Sequence, residues 1–176
     1  MRRDTLDACA LRTESRQSPV GAVASTQRLL VVQPVVDVST EGARTLGAVY
    51  WKEVQRFTQG VVRSRVHEGG VELRLVGRAV LLRLGPPRIR SGGDVVICRY
   101  RILGGLLVRV SGGTISFAQL GGDRPELRSR IIGFFPRLAA GPRRPNWTGT
   151  LYAQVQARVH AAVGRRYFAR LLRGDL

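Results

Sequence analysis

The chain has 176 residues, 44% of them hydrophobic, and sets 29 Lys and Arg against 12 Asp and Glu for a net charge of +17. That length suits one domain with one core, and that hydrophobic share excludes a disordered chain. The longest apolar stretch, LLVVQPVV at 29–36, is interrupted by Gln33 and Pro34 and falls short of the roughly 18 residues that suggest a membrane-spanning helix.

Residues 1–27 mix Ser, Thr, Gln, Arg and Asp with small apolar residues and hold no sustained period. This predicts a disordered tail ahead of a single domain over 28–176. Arg2 and Arg3 are followed by Asp4, Asp7, Arg12, Glu14 and Arg16, where a secretion signal would carry its apolar centre, so the expectation is a cytoplasmic protein. Asn146, Trp147 and Thr148 spell a glycosylation acceptor that has no use without export. Cys9 and Cys98 are too few for a disulfide framework or a thiolate zinc site, and no metal or cofactor is expected.

RLLVVQPVVDVS at 28–39 reads as a strand that Pro34 breaks or pushes to a sheet edge. A helix follows, capped by Ser39 or Thr40 with Glu41 in its first turn. Leu46, Val49, Tyr50, Val54 and Phe57 recur at spacings of three and four, and Gly60 supplies the stop. Gly47 is a possible kink. Glu53 and Arg56, three apart, read as a solvated pair.

From Val61 the period changes to two. Val62, Ser64 and Val66 alternate with Arg63 and Arg65, Val71, Leu73 and Leu75 with Glu72 and Arg74, and Cys98, Tyr100 and Ile102 with Arg99 and Arg101. That is the pattern of half-buried antiparallel strands. The glycine pairs at 69–70, 92–93, 104–105, 112–113 and 121–122 fall between alternating runs, where hairpin turns need positive φ, so they read as turns and not as phosphate cradles. Gly85, Pro86 and Pro87 end or kink a strand, and ELRSRIIGFF at 126–135 is the last one. A Pro- and Arg-rich loop at 136–146 leads to a final helix over about 150–173, with Leu151, Val155, Val159, Ala162 and Val163 on one stripe. At roughly 36 Å it is long enough to cross a sheet of six strands, nearly 30 Å wide. Beyond Gly164, Arg165, Arg166, Arg170 and Arg173 interleave with Phe168, Leu171 and Leu172; cations at the negative helix pole explain this, as does a basic amphipathic end for an anionic membrane.

The predicted class is α+β: a curved antiparallel sheet of about six to seven strands packed on a long C-terminal helix, with one helix near the N-terminus. In this order of elements, over about 29–173, the chain resembles the START-related helix-grip superfamily of polyketide cyclases and lipid carriers. In those proteins a curved sheet wraps the last helix and leaves an apolar cavity. They usually have two short helices after the first strand, whereas TEGARTLGAVYWKEVQRFTQG reads here as one, which keeps a β-barrel with attached helices open as an alternative. The resemblance implies binding of a hydrophobic small molecule or lipid between sheet and helix, with no assignable reaction and an unknown oligomeric state.

Within that frame the cavity wall is expected to include Tyr100, Phe117, Phe135, Val155 and Val159, with Tyr50 nearby. Each is also an ordinary core residue. Tyr152, Gln156 and His160, at successive i, i+4 spacings, share a flank of the last helix at the cavity rim, where they would orient a polar group of a ligand or simply face solvent. A cyclase-like enzyme using His160 or Tyr152 is a further alternative, although no Ser-His-Asp order or carboxylate pair selects a reaction. His67 reads as a solvated hairpin residue.

The opposite strand phase carries Arg63, Arg65, Arg74, Arg83, Arg99, Arg101, Arg109, Arg128 and Arg130, which converge on one face as a positive field suited to nucleic acid or an anionic membrane surface. No aromatic residue accompanies them for base stacking, which argues against single-strand recognition. Lys52 is the only lysine, so a GC-rich codon composition accounts equally for the arginines.

Overall fold

The computed structural model of the protein describes residues 11–76, 79–136 and 146–175, the side chains of the last segment from Val159 onward. In chain order the elements are β1 (Arg12–Gln17), β2 (Val23–Leu30), α1 (Thr40–Phe57), β3 (Val62–His67), β4 (Gly70–Leu75), β5 (Val80–Leu84), β6 (Arg88–Gly92), β7 (Val95–Gly104), β8 (Val108–Val110), β9 (Thr114–Leu120), β10 (Glu126–Pro136) and α2 (Asn146–Arg173). The strands form an open antiparallel sheet in the order β1-β2-β10-β9-β7-β5-β4-β3, with β6 paired to β7 and β8 to β10.

The α+β class and the two helices agree with the sequence reading; the strand number does not. The described residues form ten strands, not six or seven. Two of the additional pairing segments lie where a tail was expected: β1 and most of β2 come from residues 12–27. β2 ends at Leu30, ahead of Pro34, and residues 31–39 run as a loop. Gln119 of β9 pins that loop, its Oε1 accepting from the backbone N–H of Val35 and Val36 at 2.7 and 3.0 Å and its Nε2 donating to the Val36 carbonyl at 2.7 Å. A side-chain amide thus replaces the ladder bonds that a proline-bearing segment cannot make.

α1 starts where its cap demands. Ser39 Oγ accepts from Gly42 N–H at 2.9 Å, and Glu41 stands in the first turn at the positive pole. Leu46, Val49 and Tyr50 are buried as the spacing predicts, and Trp51 joins them; Leu46, fully enclosed, contributes about 2 kcal/mol by transfer from water. The helix runs without interruption through Gly47, whose missing side chain makes room for the Tyr100 hydroxyl; a Cβ there would lie 2.5 Å from it. Glu53 corrects the solvated-pair reading. It is 3% exposed and its carboxylate accepts from Arg170 Nε of α2 at 3.0 Å, so it ties the two helices together.

All five glycine pairs fall at strand ends or in the connections between strands, as predicted. The register places Val96, Cys98, Tyr100 and Ile102 of β7, Ile115 and Phe117 of β9 and Leu127 of β10 on one buried face. Arg99, Arg101, Arg128 and Arg130 lie on the other. At the far edge β3 is mostly exposed, Val66 included, so its alternation does not mark a buried face. α1 lies against β3, β6, β7 and β9, and α2 against α1 and β2. The inner face is therefore shared between two helices and is not spanned by the last one alone.

Candidate functional site

Between the helices and the sheet the side chains divide into a filled part and a cleft. The filled part lies over β7 and β9. Tyr50 and Trp51 of α1, Tyr100, Phe117 and Tyr167 of α2 meet mostly edge to face at centroid separations such as 5.1 Å for Tyr50–Trp51, 5.3 Å for Trp51–Tyr100 and 5.6 Å for Phe117–Tyr167. Such contacts add about 0.5–1.5 kcal/mol each beyond burial. Tyr100 and Phe117, expected in a cavity wall, are thus packed core: Trp51 and Tyr167 occupy the space they would have faced.

The cleft lies at the other end, over β1, β2 and the C-terminal half of β10. Its volume is about 340 Å³, and Val23, Val54, Ile131, Phe134, Pro136 and Val163 provide most of its apolar lining. Its polar residues are Ser15, Gln17 and Ser25 from the first two strands, Arg16 and Thr58, and the pair Tyr50 and His160. Of the residues expected to contact a ligand, Tyr50, Val159 and His160 line this cleft. The side chains of Tyr152, Val155 and Gln156 lie outside the described residues.

Phe135 corrects the predicted phase by one residue. β10 carries a bulge between Ile131 and Phe134 where it pairs with β2, and Gly133 within it has φ +64°, which only glycine adopts freely. The extra residue keeps Ile131 and Phe134 on the cleft side and sends Phe135 outward, where Arg109 stacks over its ring at 5.7 Å. The signal was present in RIIGFF: a glycine inside a strand pattern marks a bulge. Val23, Ser25 and Ser15 were missed with the tail.

The polar pair is built from both helices. Tyr50, one turn after Leu46 on the buried stripe of α1, sets its hydroxyl 3.2 Å from His160 Nδ1 on α2. Burial lowers the His160 pKa from 6.5 to about 4 and pushes that of Tyr50 upward, so both are neutral near pH 7. His160 Nε2 is shielded from solvent and has no hydrogen-bond partner among the described residues. Beside it, Gln27 of β2 donates from Nε2 to the His160 carbonyl at 3.3 Å. α2 comes close enough for this because position 164 is glycine: a Cβ there would overlap Gln27 Oε1. No group of His, Cys, Asp and Glu among the described residues is placed to hold a metal ion. Cys98 is a buried free thiol whose pKa burial raises, with Cys9 outside the described residues.

On the outer face the register gathers more arginines than predicted. Arg128 of β10 stands directly opposite Arg28 of β2, which stands opposite Arg12 of β1; Arg88 of β6 stands opposite Arg99. Glu126 and Glu14 answer two of these charges, at 2.6 Å from Arg128 and 4.0 Å from Arg28. Arg74 and Arg83 both clasp Glu72, at 3.2 and 3.0 Å, and Arg63 and Arg65 continue the face on β3. Arg109 is engaged at Phe135 and donates to the Val20 carbonyl at 3.1 Å.

No helix among the described residues is long and apolar enough to cross a membrane. No protein-family model matches the chain, and no curated protein matches it. Among solved structures, the crystal structure of CalU16 from Micromonospora echinospora overlaps 93% of this chain and 98% of its own at 13% identity, with a TM-score of 0.31. An overlap that loose carries no argument about this protein, and the reading of the site rests on its own geometry.

Proposed function

We propose that the protein binds a hydrophobic small molecule in the cleft between β1, β2, β10 and α2, in the manner of a helix-grip carrier, without a reaction assigned to it. The supporting observation is the cleft itself: about 340 Å³ of space lined chiefly by aliphatic and aromatic side chains, with one neutral polar pair at its wall. Ligand sites begin near 300 Å³ and have this composition. A residue-packed interior would leave voids no larger than a few waters.

Uptake of the neutral dye N-phenyl-1-naphthylamine, together with native mass spectrometry of the purified protein, tests the reading. Saturable binding of one dye per chain is expected, and Val159→Trp, at a half-exposed position on the cleft lining, should block it. A protein that takes up no dye and carries no co-purified molecule rejects it.

A second reading concerns the outer face. Like charges directly opposite on adjacent strands cost stability; in the Arg12–Arg28–Arg128 row Glu14 and Glu126 offset part of that cost, and the positive charge left over favours a polyanion as counter-charge. Its mark is binding to anionic vesicles or nucleic acid that falls steeply with salt; no binding at low ionic strength removes it.

A further inference from the structure

The chemistry of the Tyr50–His160 pair restricts what the cleft can hold. The Tyr50 hydroxyl is buried and protonated, and a buried hydroxyl must place its hydrogen on an acceptor. Among the described residues, its hydrogen bond is with His160 Nδ1 at 3.2 Å. Tyr50 therefore donates and Nδ1 accepts. A neutral imidazole has one proton, so that proton resides on Nε2, the atom left shielded and without a partner among the described residues. His160 lines the cleft while Nε2 itself is enclosed, so an acceptor meets this orphaned donor once the groups that cover it move aside.

The charges around it narrow the class. Among the described residues the lining contains no Asp, Glu or Lys, so a cationic group in the cleft would find no counter-charge from them. The cation that the described residues bring to it, Arg16, is exposed on the edge strand. Register with Ala24 puts Arg16 in the opposite phase from its neighbours Ser15 and Gln17, whose partners Ser25 and Val23 face the cleft. Its Cβ therefore projects to the outer side of the sheet, the side away from His160, although the residue borders the cleft.

We infer that the ligand is an uncharged molecule with an apolar body and an oxygen acceptor, carbonyl, ether or hydroxyl, that takes the Nε2–H of His160. The inference rests on the ligand-binding reading above and is separable from it.

The full-length protein is titrated with four naphthalenes of one shape: 2-acetylnaphthalene, which has a neutral acceptor; 2-isopropylnaphthalene, which has none; 2-naphthoate, an anion; and 2-naphthylmethylammonium, a cation. The acetyl compound should bind about tenfold more tightly than the isopropyl compound, the worth of one neutral hydrogen bond. His160→Phe should abolish that preference while leaving isopropyl binding in place. Independently of any ligand, long-range ¹⁵N–¹H correlation should show His160 as the Nε2–H tautomer, and addition of 2-acetylnaphthalene should shift that nitrogen. Equal binding of the acetyl and isopropyl compounds, tightest binding of the naphthoate, or an Nδ1–H tautomer overturns the inference while the cleft remains a ligand site. Binding of none of the four overturns both readings.

Discussion

Lowering the pH should unfold this protein partly through a single imidazole. His160 has its pKa drawn down from 6.5 to about 4 because the charged ring would be enclosed among apolar groups. The unfolded chain therefore takes up a proton near pH 6.5, and the folded one resists until about pH 4. Stability from this source is complete above pH 6.5, falls between 6.5 and 4, and levels off below. The two and a half pH units between these values, at 1.36 kcal/mol each, amount to about 3 kcal/mol. That is a large share of the 5–15 kcal/mol typical of a domain. Among the described residues the other ionisable side chains of the cleft lining are Tyr50, whose pKa burial raises, and Arg16 of the edge strand. Urea unfolding from pH 7.5 to 4, compared with His160→Gln on a His67→Gln background, isolates the contribution: the variant should lose less stability across this window by about 3 kcal/mol. The His160 Cε1–H resonance should titrate near pH 4. A midpoint near 6.5, or parallel pH profiles for parent and variant, would refute the enclosure of the ring.

Other consequences follow from particular contacts. Arg170→Met strands the buried Glu53 carboxylate and should cost about 3–5 kcal/mol, whereas the double replacement Glu53→Leu with Arg170→Met should recover much of that loss; guanidinium denaturation measures both. Gly164→Ala drives a methyl group into Gln27 Oε1 and should destabilise by about 1–3 kcal/mol, partly relieved by Gln27→Ser. An unchanged midpoint for Gly164→Ala would mean that α2 sits farther from β2. Gly133→Ala, placing a Cβ on left-handed backbone, should cost about 1–2 kcal/mol and is checked by the same denaturation series.

What the sequence alone determined are the features written by local pattern. α1 was legible from its cap at Ser39 and its apolar spacing, the strands of the central sheet from alternation, and the turns from paired glycines. These signals are short-range, because cap chemistry and positive φ act within a few residues and the two-residue period within one strand. The first two strands were illegible for a physical reason. β1 is polar on both sides because it is an exposed edge, and β2 turns Ser25 and Gln27 inward, so neither has the hydrophobic alternation that marks a strand. Only pairing with β10 makes them part of the sheet.

The site depended on that same long-range step. Tyr50 and His160 were each singled out, but their hydrogen bond crosses 110 positions and exists only because Gly164 lets α2 settle onto Gln27. Whether the space beneath the helices is filled was also decided in three dimensions. Ring volumes from Trp51 and Tyr167 close it over Phe117, and the small inward residues of β2 with a one-residue bulge at Gly133 leave it open beside Phe134. Packing is a sum over neighbours that come from distant parts of the chain, and no local pattern in the sequence contains that sum.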